Sequence, residues 1–152
     1  MTKEGTAAPV FTTKNAEGDT VQLKDFRGQK VVLYFYPKDD TPGCTKEACS
    51  FRDAFSEFKK RGIKVLGVSP DNEASHRKFV KKYELPFTLL TDTDHAIADA
   101  YGVYGQKKFM GRTYMGVNRT TFLIDEKGKI KKVFVKVKPE EHAREVLEAF
   151  ED

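Results

Sequence analysis

The sequence predicts an α/β fold with a central mixed β-sheet and helices on both faces of the sheet. Two short, nearly continuous apolar runs, Lys30–Tyr36 and Lys64–Val68, are typical of strands that are buried on both faces. A segment with helical periodicity follows each run, which is the pattern of parallel strands connected through helices. Two later strands, Thr120–Ile124 and Ile130–Val137, flank a turn at residues 125–128 and form an antiparallel hairpin. The sheet is therefore expected to combine parallel and antiparallel strands.

The chain is expected to begin with a small β-hairpin, whose strands Val10–Thr13 and Thr20–Leu23 flank a turn-rich segment. After the first central strand, two prolines and a glycine within Pro37–Gly43 interrupt the pattern. The segment Thr45–Lys60 is then predicted to be helical, and Gly62 ends this helix. Its apolar residues recur at helical spacing and form one stripe: Ala48, Phe51, Phe55 and Phe58.

Three further helices and one further strand complete the predicted order. A helix over Asn72–Tyr83 follows a turn that suits a helix start, and a short strand, Phe87–Leu90, comes after a proline. Another helix is predicted at about His95–Tyr101, and a final amphipathic helix at Pro139–Glu151. Residues 102–118 are rich in glycine and receive no assignment.

Length and composition predict a single soluble domain over residues 1–152. The chain has 39% hydrophobic and 33% charged residues, and no apolar run approaches the roughly 20 residues that span a bilayer. The opening residues lack the apolar stretch of a secretory signal. We therefore expect a cytoplasmic protein without a membrane partner.

The charge pattern argues against a nucleic-acid partner. The formal net charge is +4, and the densest basic tracts, Lys59–Arg61 and Lys127–Lys138, are typical of solvated faces. The three histidines lie far apart, and no His/Cys cluster has the spacing of metal ligands. We expect no metal, haem, flavin or nucleotide cofactor.

The segment that carries chemistry contains the two cysteines, Cys44 and Cys49, five positions apart. Cys44 lies where a central strand ends and a helix begins, and sites in open α/β sheets gather at the carboxyl ends of strands. The first backbone N–H groups of a helix lack internal partners and the helix dipole is positive there, so this position stabilises a thiolate nucleophile. Thr41 offers a hydroxyl at the same turn, and Pro42 and Gly43 shape a loop that a small ligand can approach.

The spacing of the two cysteines has a conformational consequence. On an ideal helix, residues five apart have Cα atoms roughly 8.7 Å apart, whereas a disulfide tolerates no more than about 7 Å. Cys44 and Cys49 therefore cannot bond while the intervening turns stay helical. If they pair, the start of the helix must unwind, and its conformation reports the redox state.

The residues alone leave several alternatives open. A cysteine near a helix is often a small buried hydrophobic residue, and a zinc half-site would need two further clustered ligands. The pair could also belong to a general thiol–disulfide oxidoreductase, although such enzymes use a Cys-x2-Cys spacing. A redox-responsive binding module, or a purely structural domain, would use the same two residues without catalysis.

The sequence Thr41-Pro42-Gly43-Cys44-Thr45, followed by Glu47-Ala48-Cys49, resembles the peroxiredoxin signature. The five-residue cysteine spacing is similar to that of the subgroup called peroxiredoxin Q or bacterioferritin comigratory protein. The resemblance extends from about residue 5 to the last helix. It implies a thioredoxin-like fold with an N-terminal β-hairpin, and a thiol-dependent peroxidase that reduces hydrogen peroxide and organic hydroperoxides.

The resemblance also implies roles for five residues. Cys44 would be the peroxidatic cysteine that becomes a sulfenic acid, and Cys49 the resolving cysteine that condenses with it to an intramolecular disulfide. Thr41 would hydrogen-bond the peroxide and the thiolate, Pro37 would shield the site from water, and Arg119 would stabilise negative charge on sulfur and peroxide. Thioredoxin or a similar dithiol reductant would regenerate the thiols. The subgroup further implies a monomer.

Arg119 is chosen among seven arginines because it precedes an aromatic strand, as the family's arginine does. Three acidic residues near the motif, Asp39, Asp40 and Glu47, could tune the loop or cap the helix, but we expect them to be solvated. The three histidines fall on predicted helices, and none is assigned to chemistry.

Overall fold

Strands and helices alternate along the first two thirds of the chain, and antiparallel hairpins follow. The computed structural model describes residues 1–135 and 137–151. Its strands are β1 Thr12–Lys14, β2 Thr20–Gln22, β3 Lys30–Phe35, β4 Ile63–Ser69, β5 Thr88–Thr91, β6 Tyr104–Phe109, β7 Arg112–Val117, β8 Thr120–Ile124 and β9 Ile130–Val135. Its α-helices are α1 Pro42–Asp53, α2 Phe55–Lys60, α3 Glu73–Tyr83, α4 Ala96–Tyr101 and α5 His142–Glu151, with a 3₁₀ turn at Leu23–Phe26. Among these helices, none is long and apolar enough to cross a lipid bilayer.

The central sheet has the strand order β5-β4-β3-β8-β9. Strands β3, β4 and β5 are parallel, whereas β8 is antiparallel to β3 and β9 is antiparallel to β8. The predicted α/β class and mixed sheet are therefore confirmed. The predicted N-terminal hairpin is also present, as β1 paired with β2. The extent of a single domain over residues 1–152 stays a prediction.

Strand β3 lies at the middle of the sheet and is buried on both faces, as its apolar run predicts. Its side chains alternate between two cores because successive residues of a strand point to opposite faces. On one face Tyr34 stacks on Phe51 of α1, with ring centroids 4.9 Å apart. On the other face Phe35 packs against Tyr101 of α4, with centroids 5.3 Å apart. The sheet therefore holds the carboxyl end of β3, where the cysteine loop begins, between two packed layers.

Some boundaries differ from the prediction for identifiable reasons. The helix expected over Thr45–Lys60 begins earlier, at Pro42, because a proline is favourable at the first helical position. It is also divided at Ala54 into α1 and α2. The last helix begins at His142 rather than Pro139. The predicted strand Ile130–Val137 includes Lys136, which lies outside the described residues.

The glycine-rich segment that carried no assignment folds as the β6–β7 hairpin, a two-stranded sheet of its own. Met110 and Gly111 form its turn, and both have positive φ, at 51° and 79°. This is the turn geometry that suits the twist of two hairpin strands. The sequence signal was weak because most residues of both strands are exposed and show no alternation of apolar and polar positions.

Candidate active site

The cysteine loop connects the carboxyl end of β3 to the first turn of α1. Thr41 has an extended backbone and precedes the helix, and Pro42 is its first residue. Cys44 is therefore the third residue of α1, where backbone N–H groups have no partner within the helix. Its side chain is only 1% exposed. The predicted position of Cys44, at a strand end and a helix start, is confirmed.

Arg119 directly precedes β8, whose first residue, Thr120, is paired with Phe35 at the carboxyl end of β3. Its Nη2 donates a hydrogen bond to Cys44 Sγ at 3.1 Å, and its Nη1 donates to Glu47 Oε1 at 2.5 Å. Gly43 permits this approach, since a Cβ at that position would lie 3.2 Å from Arg119 Nη2. The fold thus brings together Cys44 and Arg119, which are 75 positions apart in the sequence.

Glu47 is a functional candidate that sequence reasoning missed. It was expected to be solvated, but it is fully buried, so that expectation is wrong. Burial raises the pKa of its carboxyl group from 4.5 to about 7, and the Arg119 guanidinium acts in the opposite direction. Oε2 has no hydrogen-bond partner among the described residues. The spacing of three residues from Cys44 could have revealed it, because such residues lie on one helical face.

Two further buried groups, His142 and Tyr34, interact electrostatically with Arg119 and its neighbours. His142 Nε2 is 2.7 Å from Thr121 Oγ1, and burial, followed by the charge of Arg119, lowers its pKa from 6.5 to about 4. The pKa of Tyr34 is raised well above 10, mainly by burial and then by Glu47 and Cys44. Both groups are therefore uncharged near neutral pH.

Thr41 and Pro37 lie in the same loop, but their predicted roles stay predictions. The Thr41 hydroxyl donates to the Lys38 carbonyl oxygen at 2.9 Å in this structure. Pro37 is half-buried and directly follows the buried Tyr36. Cys49 is a half-buried free thiol on α1. Because α1 is continuous from Pro42 to Asp53, the two cysteines lie on intact helix.

A second buried acidic group, Asp39, lies within this loop. It too was expected to be solvated, yet it is buried, which corrects a second expectation. Its Oδ1 accepts a hydrogen bond from the Tyr36 hydroxyl at 2.6 Å, and its Oδ2 accepts one from Ser75 Oγ at 2.8 Å. The same Oδ2 lies 2.7 Å from His76 Nδ1. The Asp39 backbone N–H donates to Asp71 Oδ2 at 2.7 Å.

The carboxylates of Asp39 and Asp71 and the His76 ring have ligand atoms within 4.8 Å of one another. Such a spacing would suit a metal ion, but hydrogen bonds from neighbouring side chains and from the backbone already occupy these atoms. His76 Nε2 is also engaged, 2.9 Å from the Leu90 carbonyl oxygen. We assign this cluster to the positioning of the loop.

The sequence profile of the AhpC/TSA family matches residues 5–133. The chain belongs to this family. A putative peroxiredoxin Bcp from Coxiella burnetii is 53% identical over 143 residues, which cover 94% of this chain and 95% of that protein. Peroxiredoxin Bcp from Bacillus subtilis is 47% identical over 148 residues, covering 97% of this chain and 94% of the relative.

Solved structures of AhpC/TSA family members agree with the fold. A cysteine-to-serine mutant of peroxiredoxin Q from Xanthomonas campestris superposes with a TM-score of 0.88 at 38% identity, covering 93% of this chain and 90% of the other. A peroxiredoxin Q mutant from Xylella fastidiosa gives a TM-score of 0.90 at 30% identity, covering 99% and 98%. The predicted thioredoxin-like peroxiredoxin fold and the Bcp or peroxiredoxin Q subgroup are therefore confirmed.

Proposed function

We propose that this protein is a thiol-dependent peroxidase in which Cys44 reduces the peroxide and Cys49 resolves the product. The observation that carries the proposal is the guanidinium of Arg119, which contacts the Cys44 sulfur and the buried carboxylate of Glu47 at once. A fixed cation in a water-poor pocket stabilises both a thiolate and the negative charge that develops on peroxide oxygen. Membership of the AhpC/TSA family supports the same chemistry.

In the first step the Cys44 thiolate attacks one oxygen of the peroxide. The O–O bond breaks, a Cys44 sulfenic acid forms, and the other oxygen leaves as water or an alcohol after it takes up a proton. The first-turn N–H groups of α1 and the Arg119 guanidinium stabilise the charge during this transfer. Thr41 and Pro37 are proposed to orient the peroxide and to exclude water, which requires the Thr41 hydroxyl to turn from the Lys38 carbonyl.

In the second step the Cys49 thiol attacks the Cys44 sulfenic acid, releases water and forms a disulfide. Because both cysteines lie on one intact helix, the first turns of α1 must unwind before the sulfur atoms can meet. A dithiol reductant of the thioredoxin type then reduces the disulfide by thiol–disulfide exchange and becomes oxidised itself. Each turnover therefore transfers two electrons from the reductant to one peroxide.

We further propose that the substrates include hydrogen peroxide and organic hydroperoxides. A related structure, the bacterioferritin comigratory protein of X. campestris, has been described in connection with alkyl peroxide reduction. We also propose a cytoplasmic location, where a reducing environment would return the two cysteines to thiols. Resemblance to the subgroup supports a monomer, which sedimentation equilibrium tests.

The test compares two single substitutions by peroxide consumption and by intact mass. Cys44→Ser should abolish peroxide consumption. Cys49→Ser should consume about one equivalent of peroxide, stop at the sulfenic acid and fail to turn over with thioredoxin. In the parent protein one equivalent of peroxide should remove two hydrogens, and peptide mapping should locate a Cys44–Cys49 link. Sustained turnover by Cys44→Ser would refute the assignment.

A further inference from the structure

The β6–β7 hairpin presents an unusual concentration of exposed apolar side chains. In the part of the chain that the structure describes, seven large apolar side chains are exposed, and four of them belong to this hairpin. They are Phe109 at 65%, Met110 at 88%, Tyr114 at 47% and Met115 at 53% exposed. Large apolar groups that cluster at a surface mark a site of interaction.

The hairpin together with the residues that flank it carries the net charge of the protein. Residues 101–124 contain four basic side chains and no acidic one, which equals the formal charge of +4 for all 152 residues. The remainder of the chain is therefore balanced. Three of the four cations, Lys107, Lys108 and Arg112, lie on the hairpin strands. A partner of this surface must be both anionic and able to accept apolar groups.

The cations flank an apolar apex. Phe109 and Met110 lie at the turn, and Phe109 is paired across the strands with Arg112. Lys107, nearer the base of the hairpin, donates to the Val117 carbonyl oxygen at 2.9 Å. The base of β7 is separated from Arg119 by one residue, so the hairpin projects from the edge of the candidate active site.

We propose that the tip of the β6–β7 hairpin adsorbs to the surface of an anionic lipid bilayer. Phe109 and Met110 enter the interfacial region, while Lys108 and Arg112 pair with lipid phosphate groups, as at other peripheral membrane contacts. A second copy of this chain fits poorly, because two such hairpins would bring like charges together. The proposal departs from the expectation that the protein has no membrane partner. That expectation was based on the lack of a membrane-spanning segment, and adsorption to a bilayer surface does not require one.

A single tryptophan provides a direct test, because the natural chain contains none. Met110→Trp places the reporter at the apex, and Val10→Trp places it at another exposed apolar position, 67% exposed, outside the hairpin. With phosphatidylglycerol vesicles we expect a blue shift of the Met110→Trp emission that neutral phosphatidylcholine vesicles do not produce. The shift should disappear at high salt, which screens the charges. The Val10→Trp emission should not change.

Vesicle co-sedimentation measures the charge contribution separately. Each cation near an anionic surface contributes about fivefold in partition coefficient, so the double variant Lys108→Gln/Arg112→Gln should bind about 25-fold more weakly. Lys60→Gln, an exposed cation on α2, should bind as the parent does.

Several outcomes would overturn the proposal. These are no binding to anionic vesicles, equal binding to neutral ones, or an equal shift at position 10. If the parent sediments as a dimer that Met110→Trp dissociates, without vesicle binding, the hairpin is an interface between copies. If the protein neither binds vesicles nor forms a dimer, the proposal fails and an acidic protein partner is favoured. None of these readouts depends on peroxidase activity, so the proposed function is tested independently.

Discussion

Two buried carboxylates near the carboxyl end of β3, Asp39 and Glu47, have opposite hydrogen-bond environments. Both oxygens of Asp39 are engaged by neighbouring side chains from its own loop and from α3. Glu47 has one engaged oxygen, paired with Arg119, and its other oxygen lacks a partner among the described residues. Asp39 lies in the loop that leads to Cys44, and Glu47 lies on α1, three residues after Cys44.

The difference separates a structural group from a group that responds to the reaction. A fully hydrogen-bonded buried carboxylate fixes its surroundings in one arrangement. A buried carboxylate with a missing partner is less stable as an anion, and the pKa of Glu47 is accordingly raised to about 7. This carboxyl group titrates near neutral pH and contacts Arg119 through Oε1. We therefore expect its protonation state to affect the charge that Arg119 presents to the Cys44 sulfur.

The largest expected effect is the loss of Arg119, which connects Glu47 to the sulfur. Arg119→Met should lower the second-order rate constant for hydrogen peroxide by about 10²–10³-fold, as for other lost donors to a developing anion. Stopped-flow oxidation of Cys44 measures it. Arg144→Met, on the exposed face of α5, is the matched control and should react at the parental rate. Equal rate constants for the two variants would show that Arg119 does not contribute to the reaction with peroxide.

Breaking the Asp39 cluster should affect stability and leave the chemistry of each folded molecule largely intact. In Asp39→Asn the amide N–H groups face buried donors, so we expect a loss of about 3 kcal/mol in the free energy of unfolding. Urea denaturation measures it. Asp40→Asn is the matched control, since Asp40 is exposed and forms only surface contacts with Lys82 and Tyr83. We expect an unchanged midpoint for that variant, and similar losses for both would contradict the structural role of Asp39.

The titration of Glu47 should be measurable as a pH dependence of the free energy of unfolding. Its folded-state pKa lies above its unfolded value, so the native state binds the proton more tightly and loses stability as pH rises from about 4.5 to 7. The full difference corresponds to at most about 3 kcal/mol. Glu47→Gln cannot ionise, so its stability relative to the parent should increase across this window. Urea midpoints at a series of pH values measure the trend, and a difference independent of pH would show that Glu47 does not titrate there.

A slope of similar size and opposite sign is expected from His142. Its folded-state pKa, about 4, lies below its ordinary 6.5, so the stability it confers is present above pH 6.5 and is lost as pH falls towards 4. In the parent this slope partly cancels that of Glu47. His142→Gln should therefore steepen the decline of stability with rising pH. If the same urea series shows parallel curves for parent and variant, the buried neutral state of His142 is ruled out.

Local pattern was sufficient to predict most of the fold and the position of Cys44 at the start of α1. The apolar run of β3 and the alternation of strands and helices predicted the mixed sheet, because periodicity reports which face of an element is buried. A cysteine at a strand-to-helix junction identified Cys44, and the motif around Cys44 and Cys49 identified the family. The matching context of Arg119 identified the cation that contacts the sulfur.

What the sequence did not reveal depends on contacts between distant segments. Glu47 and Asp39 were expected to be solvated, since nothing in their immediate sequence neighbours indicates that Arg119 and α3 contact them. The β6–β7 hairpin was missed for the converse reason, because its strands pack little against the core and so carry no burial pattern. The sequence by itself predicted the strands of the central sheet and the residues that we propose to react. Only the tertiary structure decided which polar groups are removed from water, because desolvation is set by the neighbours that topology brings together.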